Sequence, residues 1–132
     1  LKHTLVTETG GMKGRREEIT RQALHEKLKQ AFQLETVCSE YGMTELLSQA
    51  WSSGNGRYHT PPWMKIMIRD PYNPFRHLPD GKPGGIDVID MANQLSCCFI
   101  QTQDLGCKQP DGSFEVLGRF DNSDLRGCNL LI

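Results

Sequence analysis

The chain has 132 residues, with 15 Lys and Arg against 16 Asp and Glu, for a formal net charge of −1. That length fits one domain, and a folded chain of this size buries roughly 65–70% of its unfolded surface. A hydrophobic content of 37% with 23% charged residues excludes wholesale disorder. No apolar run approaches the roughly 20 residues that cross a bilayer, and none has the shape of a signal-peptide core. The near-neutral balance gives no broad basic field to capture nucleic acid.

Cysteine usage bounds the chemistry further. There are five Cys, an odd number, with Cys97 and Cys98 adjacent and no CxxC pair. His3, His25, His59 and His77 are scattered without ligand spacing, so no zinc site is expected, and reduced thiols in the cytoplasm fit better than a disulfide framework. The chain opens at Leu1 and goes at once into LKHTLVTETGG, a strand feeding a glycine turn. A parallel strand needs neighbours and cover on both faces, so this is expected to be the later part of a longer protein, with an upstream part of the same chain as its partner.

Residues 4–8 (TLVTE) are β-branched and apolar and run into Gly10-Gly11, where the GGMKGRR stretch is a loop. Residues 16–33 read as an amphipathic helix with Leu24, Leu28, Ala31 and Phe32 on one face and His25 and Glu26 opposite. A short buried strand over 35–39 follows, then a loop at Tyr41-Gly42. Strand, glycine loop, helix, strand is a βαβ unit with parallel pairing.

The texture then changes. Residues 52–63 (SSGNGRYHTPPW) are turn-forming and expected as a surface loop, and 64–69 (MKIMIR) alternate as a strand. A long loop, DPYNPFR with PDGKPGG, leads to short strands at 86–90, 98–102 and 114–117, separated by turns at Met91-Ala92-Asn93 and Pro110-Asp111-Gly112. This half reads as a small antiparallel sheet or distorted barrel, making the whole an α/β chain.

Four patches carry chemistry. Gly10-Gly11 would let backbone approach a flat purine ring closely, although no GxxxxGK[ST] loop supports Lys13. Tyr41-Gly42-Met43-Thr44-Glu45 lies past the carboxyl end of a strand, where open α/β sheets place ligands. The Thr44 hydroxyl and Glu45 carboxylate suit Mg²⁺ and a phosphate oxygen; the competing reading makes Thr44 the N-cap of a helix over 45–50. Asp104, expected at a strand end, can accept from two ribose hydroxyls, or else is a turn aspartate. Arg119 can close over a phosphate or ribose, or else pairs on the surface with Asp121 or Asp124. Cys128 beside Arg126 and Gly127 is either an accessible thiol with a lowered pKa or a small hydrophobe packed by Leu130 and Leu131, whereas Cys97 and Cys98 read as strand packing.

In order, TGG, YGMTE, TQDLG and GRFD resemble the adenylate-forming superfamily of acyl-CoA synthetases, firefly luciferase and peptide-synthetase adenylation domains. The departure is Gln103, where those enzymes usually carry glycine. A closer resemblance covers nearly the whole chain: ETGGMKGR, YGMTELLSQAW, PGGIDVIDMANQLSCCFIQTQDLG and GRFDNSDLRGCNLL are similar to the LuxE-type acyl-protein synthetases. It implies the C-terminal part of an adenylate-forming large domain, with ATP and Mg²⁺ as cofactors and a fatty or other carboxylic acid as substrate. It also implies an acyl-CoA reductase as partner, ATP contacts at Gly10, Gly11, Tyr41, Gly42, Thr44, Asp104 and Arg119, metal at Glu45, and acyl transfer to Cys128. Under this reading 1–51 is a βαβ nucleotide-binding part, 52–118 a mostly β part, and 119–132 a hinge-like segment with Asp121 at the hinge. The superfamily's phosphate loop is absent from the sequence, so these residues alone are expected to be inactive. Two alternatives stand beside it: an acyl-CoA ligase, and a non-catalytic interaction module with a degenerate nucleotide site.

Overall fold

The computed structural model describes residues 4–9 and 21–120. Strand β1 (Thr7–Thr9) precedes helix α1 (Arg21–Phe32), and β2 (Cys38–Tyr41) pairs parallel to β1, with Thr7 opposite Cys38. The βαβ unit read from the sequence is therefore present, although the helix positions 16–20 lie outside the described residues. Strand β3 (Ala50–Ser52) turns back antiparallel on β2, with Tyr41 opposite Ala50, and completes a sheet in the order β1-β2-β3.

The helix docks through a different face from the one its leucines suggest. His25 is the buried residue of α1, while Ala31 and Phe32 are exposed and Leu24 and Leu28 are half-buried. The reason is polar. The imidazole Nε2 of His25 lies 3.2 Å from Ser39 Oγ on β2 and 3.5 Å from Glu8 Oε1 on β1. Arg21, one turn earlier on the same stripe, pairs with Glu8 at 3.5 Å and sits over the Tyr58 ring at 5.2 Å. Positions 21, 24, 25 and 28 follow helical spacing, so the periodicity is right and the facing stripe is rotated.

The second sheet is antiparallel in the order β4-β8-β7-β6-β5, built from β4 (Arg57–Tyr58), β5 (Met64–Arg69), β6 (Pro83–Asp90), β7 (Phe99–Lys108) and β8 (Phe114–Arg119). Strand β5 falls where its alternation puts it, with Met64, Ile66 and Ile68 buried. Strands β6, β7 and β8 run longer than their apolar runs, because Gly84, Gly85 and Gly106 let strands approach where side chains would not fit. The expected loop at 52–63 holds the end of β3 and all of β4, and Trp51 pairs with His59 to link the two sheets. Such short strands carry too few alternating residues to register in sequence.

Both sheets share one core. Tyr41 meets Tyr58 and Phe114 edge-on at 6.0 and 5.4 Å, and Ile66, Ile86 and Val88 pack beneath them. Register shifts between Gly85 and Asp87, and between Leu105 and Gly106, curl the larger sheet. At the second shift a Cβ on Gly106 would fall 2.6 Å from the Glu115 carbonyl oxygen and from Ile86 Cδ1. Backbone cannot yield there, so Gly106→Ala is expected to destabilise the fold by about 1–3 kcal/mol, read as a lower urea midpoint.

Candidate nucleotide site

The site forms where the two sheets meet. Tyr41 ends β2, and its ring is fixed by the aromatic packing just described, which aims the phenol out of the core. The hydroxyl donates to Asp104 Oδ2 at 2.9 Å, across 63 residues of sequence. Burial first, and then the Asp104 carboxylate, push the Tyr41 phenol well above its ordinary range, so it stays a donor at physiological pH.

Asp104 lies inside β7, not at a strand end as expected, because β7 continues through the glycine at 106 to Lys108. Its backbone N–H donates to the Thr102 hydroxyl at 3.1 Å, and that hydroxyl donates to the Ile86 carbonyl at 2.8 Å. Arg119 stands directly across from it on β8 and brings Nε to 3.3 Å from Asp104 Oδ1. Gly118 pairs with Leu105 and Val116 with Gly106, so the register shift that skips Leu117 sets Arg119 there. Arg119 thus pairs with Asp104; Asp121 and Asp124, the other expected partners, lie outside the described residues. Its side chain is 73% exposed against 17% for Asp104, so the pair is held loosely.

Thr44 and Glu45 sit on the hairpin loop between Tyr41 and Ala50, both exposed. No helix forms over 45–50, which removes the capping role for Thr44. The Glu45 carboxylate makes no ion pair among the described residues. A single carboxylate with a neighbouring hydroxyl fits Mg²⁺, which keeps several waters and takes its other ligands from substrate phosphates. Among the described residues no three His, Cys, Asp or Glu side chains gather as a metal cluster. Gly42, exposed between Tyr41 and the loop, has Gln49 Cγ 3.2 Å from where a Cβ would stand. Gly10, Gly11 and Cys128 lie outside the described residues.

The loop is anchored from β6 by residues that the sequence reading passed over. Asp90 is fully buried; its Oδ2 accepts from the N–H groups of Leu47 (3.0 Å) and Ser48 (2.9 Å), and its Oδ1 from the Ser48 hydroxyl (2.7 Å) and the Ala92 N–H (3.1 Å). The Trp63 indole N–H donates to Ser48 Oγ at 2.9 Å. Desolvation alone would raise the Asp90 pKa, but these hydrogen bonds outweigh it and hold the carboxyl below its ordinary value. A signal was available: Ile86, Val88 and Asp90 alternate on one face of β6, so the carboxylate had to point inward.

The cysteines also differ from expectation. β7 begins at Phe99, so Cys97 and Cys98 precede it, and Cys97 is exposed rather than packed. Cys107 is half-buried in β7, and its thiol is pushed up by burial and by the Glu115 and Asp80 carboxylates, which makes it a poor nucleophile.

Three solved structures share this fold, a parallel βαβ unit joined to a curled antiparallel sheet. ATP-bound MatB from Rhodopseudomonas palustris is 20% identical with a TM-score of 0.61, over 87% of this chain and 25% of that one. A benzoate CoA ligase from Burkholderia xenovorans LB400 is 20% identical with a TM-score of 0.55, over 89% of this chain and 25% of that one. The luciferase-like enzyme of the nonluminescent mealworm Zophobas morio is 20% identical with a TM-score of 0.55, over 86% of this chain and 31% of that one. The chain thus spans between a quarter and a third of the length of these structures.

The family described as acyl-protein synthetase, LuxE, matches residues 1–132, and the chain belongs to that family. A search of the curated proteins gives no match. No helix among the described residues is long and apolar enough to cross a membrane.

Proposed function

We propose that the whole protein is an ATP-dependent acyl-protein synthetase that activates a fatty or other carboxylic acid as its acyl-adenylate. It then transfers the acyl group to Cys128, for delivery to an acyl-CoA reductase in the cytoplasm. The observation that carries this reading is the meeting of Tyr41, Asp104 and Arg119, drawn from three separate segments onto one edge of the fold.

In this reading Asp104 accepts from the ribose hydroxyls, with Tyr41 holding its second oxygen. The exposed Arg119 pair contributes only about 0–1 kcal/mol, so the guanidinium can leave Asp104 for the nucleotide at little cost. Gly10 and Gly11 border the purine, Gly42 keeps the approach to the loop open, and Thr44 donates to a phosphate oxygen. Glu45 would hold Mg²⁺, which when bound neutralises phosphate charge. The substrate carboxylate oxygen bonds to the α-phosphorus and pyrophosphate leaves. The Cys128 thiolate then bonds to the acyl carbon and AMP leaves, which splits one difficult transfer into two. Residues 119–132 serve as the hinge-like segment that brings Cys128 to the acyl group.

Two measurements on the whole protein test this. ATP–pyrophosphate exchange is expected with medium- or long-chain fatty acids, and radioactive fatty acid is expected to label the protein and to lose that label on Cys128→Ser. No exchange with any acid would leave an interaction module. Among the solved structures of this fold one is named a benzoate CoA ligase, which favours coenzyme A as a second acceptor. Label released onto coenzyme A, with Cys128→Ser unaffected, would establish that second reading.

A further inference from the structure

The hairpin loop that carries Thr44 and Glu45 has little structure of its own. Among the described residues its one internal backbone bond runs from the Leu46 N–H to the Met43 carbonyl, 3.1 Å. Leu46 is sunk into the shared core, while Thr44 and Glu45 stay exposed. The backbone of Glu45 itself is gripped from outside the loop. Asn93, at the end of the 3-10 turn Met91–Asn93 that follows β6, is buried and donates its amide Nδ2 to the Glu45 carbonyl at 2.6 Å. The same nitrogen donates to the Cys97 carbonyl at 2.9 Å. One side-chain amide therefore uses both of its protons to fasten the loop to the turn leading into β7, the strand that holds Asp104.

We infer that Asn93 is a positioning residue for Mg²⁺·ATP, setting the Glu45 carboxylate through the Glu45 carbonyl. This inference rests on the proposed nucleotide-site reading and extends it to a residue outside the four motif patches. The physical argument is preorganisation. A carboxylate on a residue whose own backbone is not held samples many positions, and binding must then order that stretch at the expense of affinity. A bond to the main chain of the same residue removes that freedom without occupying the carboxylate. Neither carbonyl becomes a buried orphan if Asn93 is lost, because Glu45 and Cys97 are exposed and water can replace the amide. Loss of Asn93 should therefore loosen the loop more than it unfolds the protein. Asp90 differs, since it grips the far side of the loop at Leu47 and Ser48 and carries stability as well.

The test is pyrophosphate exchange by the whole protein with Asn93→Ala and Asn93→Ser, the second in case the first folds poorly. The expected result is a KM for Mg²⁺·ATP raised about tenfold, the range seen when a partner of a ligating residue is lost. The KM for the acid and the melting temperature stay near those of the parent. An unchanged KM for Mg²⁺·ATP in a folded variant would overturn the inference, as would loss of folding in both variants, which makes Asn93 merely structural. The parent is measured first: an active parent with unaltered variants sinks Asn93 alone, whereas a parent without exchange sinks the nucleotide-site reading as well.

Discussion

Asp104→Ala in the whole protein is expected to raise the ATP concentration for half-maximal pyrophosphate exchange by roughly one to two decades. A charge-assisted hydrogen bond is worth about 1.5–3 kcal/mol, and each 1.4 kcal/mol is about tenfold in affinity. The carboxylate is 17% exposed and tied on one side to the Tyr41 hydroxyl, so it is already oriented before a ligand arrives. Arg119→Ala should have the smaller effect, because its side chain is 73% exposed and its pair with Asp104 is screened by water. Tyr41→Phe separates orientation from charge: it keeps the ring against Tyr58 and Phe114 and removes only the donor. An unchanged ATP dependence in a folded Asp104→Ala protein would reduce this residue to a surface partner of Tyr41 and Arg119.

The largest stability effect is expected at Asp90. Asp90→Ala strips the acceptor from four donors: three backbone N–H groups and the Ser48 hydroxyl. The two Ser48 donors are buried, whereas those of Leu47 and Ala92 are part-buried and can recover water. With about 1–3 kcal/mol for each donor left unsatisfied, the loss should total about 3–5 kcal/mol, near the upper end for one substitution. The same carboxylate gives a pH signature. Its pKa in the folded protein is lowered from 3.8, so the unfolded chain binds the proton more tightly. Its contribution is complete above 3.8 and is lost as pH falls through the folded value. Urea unfolding followed from neutral to acid pH should show this decline in the parent and lack that component in Asp90→Asn. A decline of equal size in both proteins would sink the assignment.

Part of the candidate site was legible because its residues stand in distinct patches at or just past the ends of expected strands. Tyr41, Thr44, Glu45, Asp104 and Arg119 were all singled out, and Tyr41, Asp104 and Arg119 come together in space. Asn93 was missed because an amide beside a turn looks the same in sequence whether it faces water or the interior, whereas the alternation of Asp90 with Ile86 and Val88 did carry a signal. The extent of β7 was missed for a related reason. Gly106 breaks an alternating pattern, yet in the fold it is the position that admits the Glu115 carbonyl and Ile86.

The sequence by itself determined the helix and the strands β1, β2 and β5 to β8 in their order, though not the short β3 and β4, since β-branched alternation, helical spacing and glycine turns are local properties of the chain. It determined the parallel β1–β2 pairing too, because a helix between two short strands leaves that crossover as the compact solution. Only the tertiary structure decided which stripe of α1 faces the sheet, since His25 finds a hydrogen bond with Ser39 and a carboxylate neighbour in Glu8, neither of which a leucine could use. It alone decided that Asp104 meets Tyr41 across 63 residues, and that Asp90 and Asn93 hold the loop. These are contacts between segments distant in the chain. Their existence depends on strand register and on where buried polar groups find partners, and neither is encoded in any short stretch of residues.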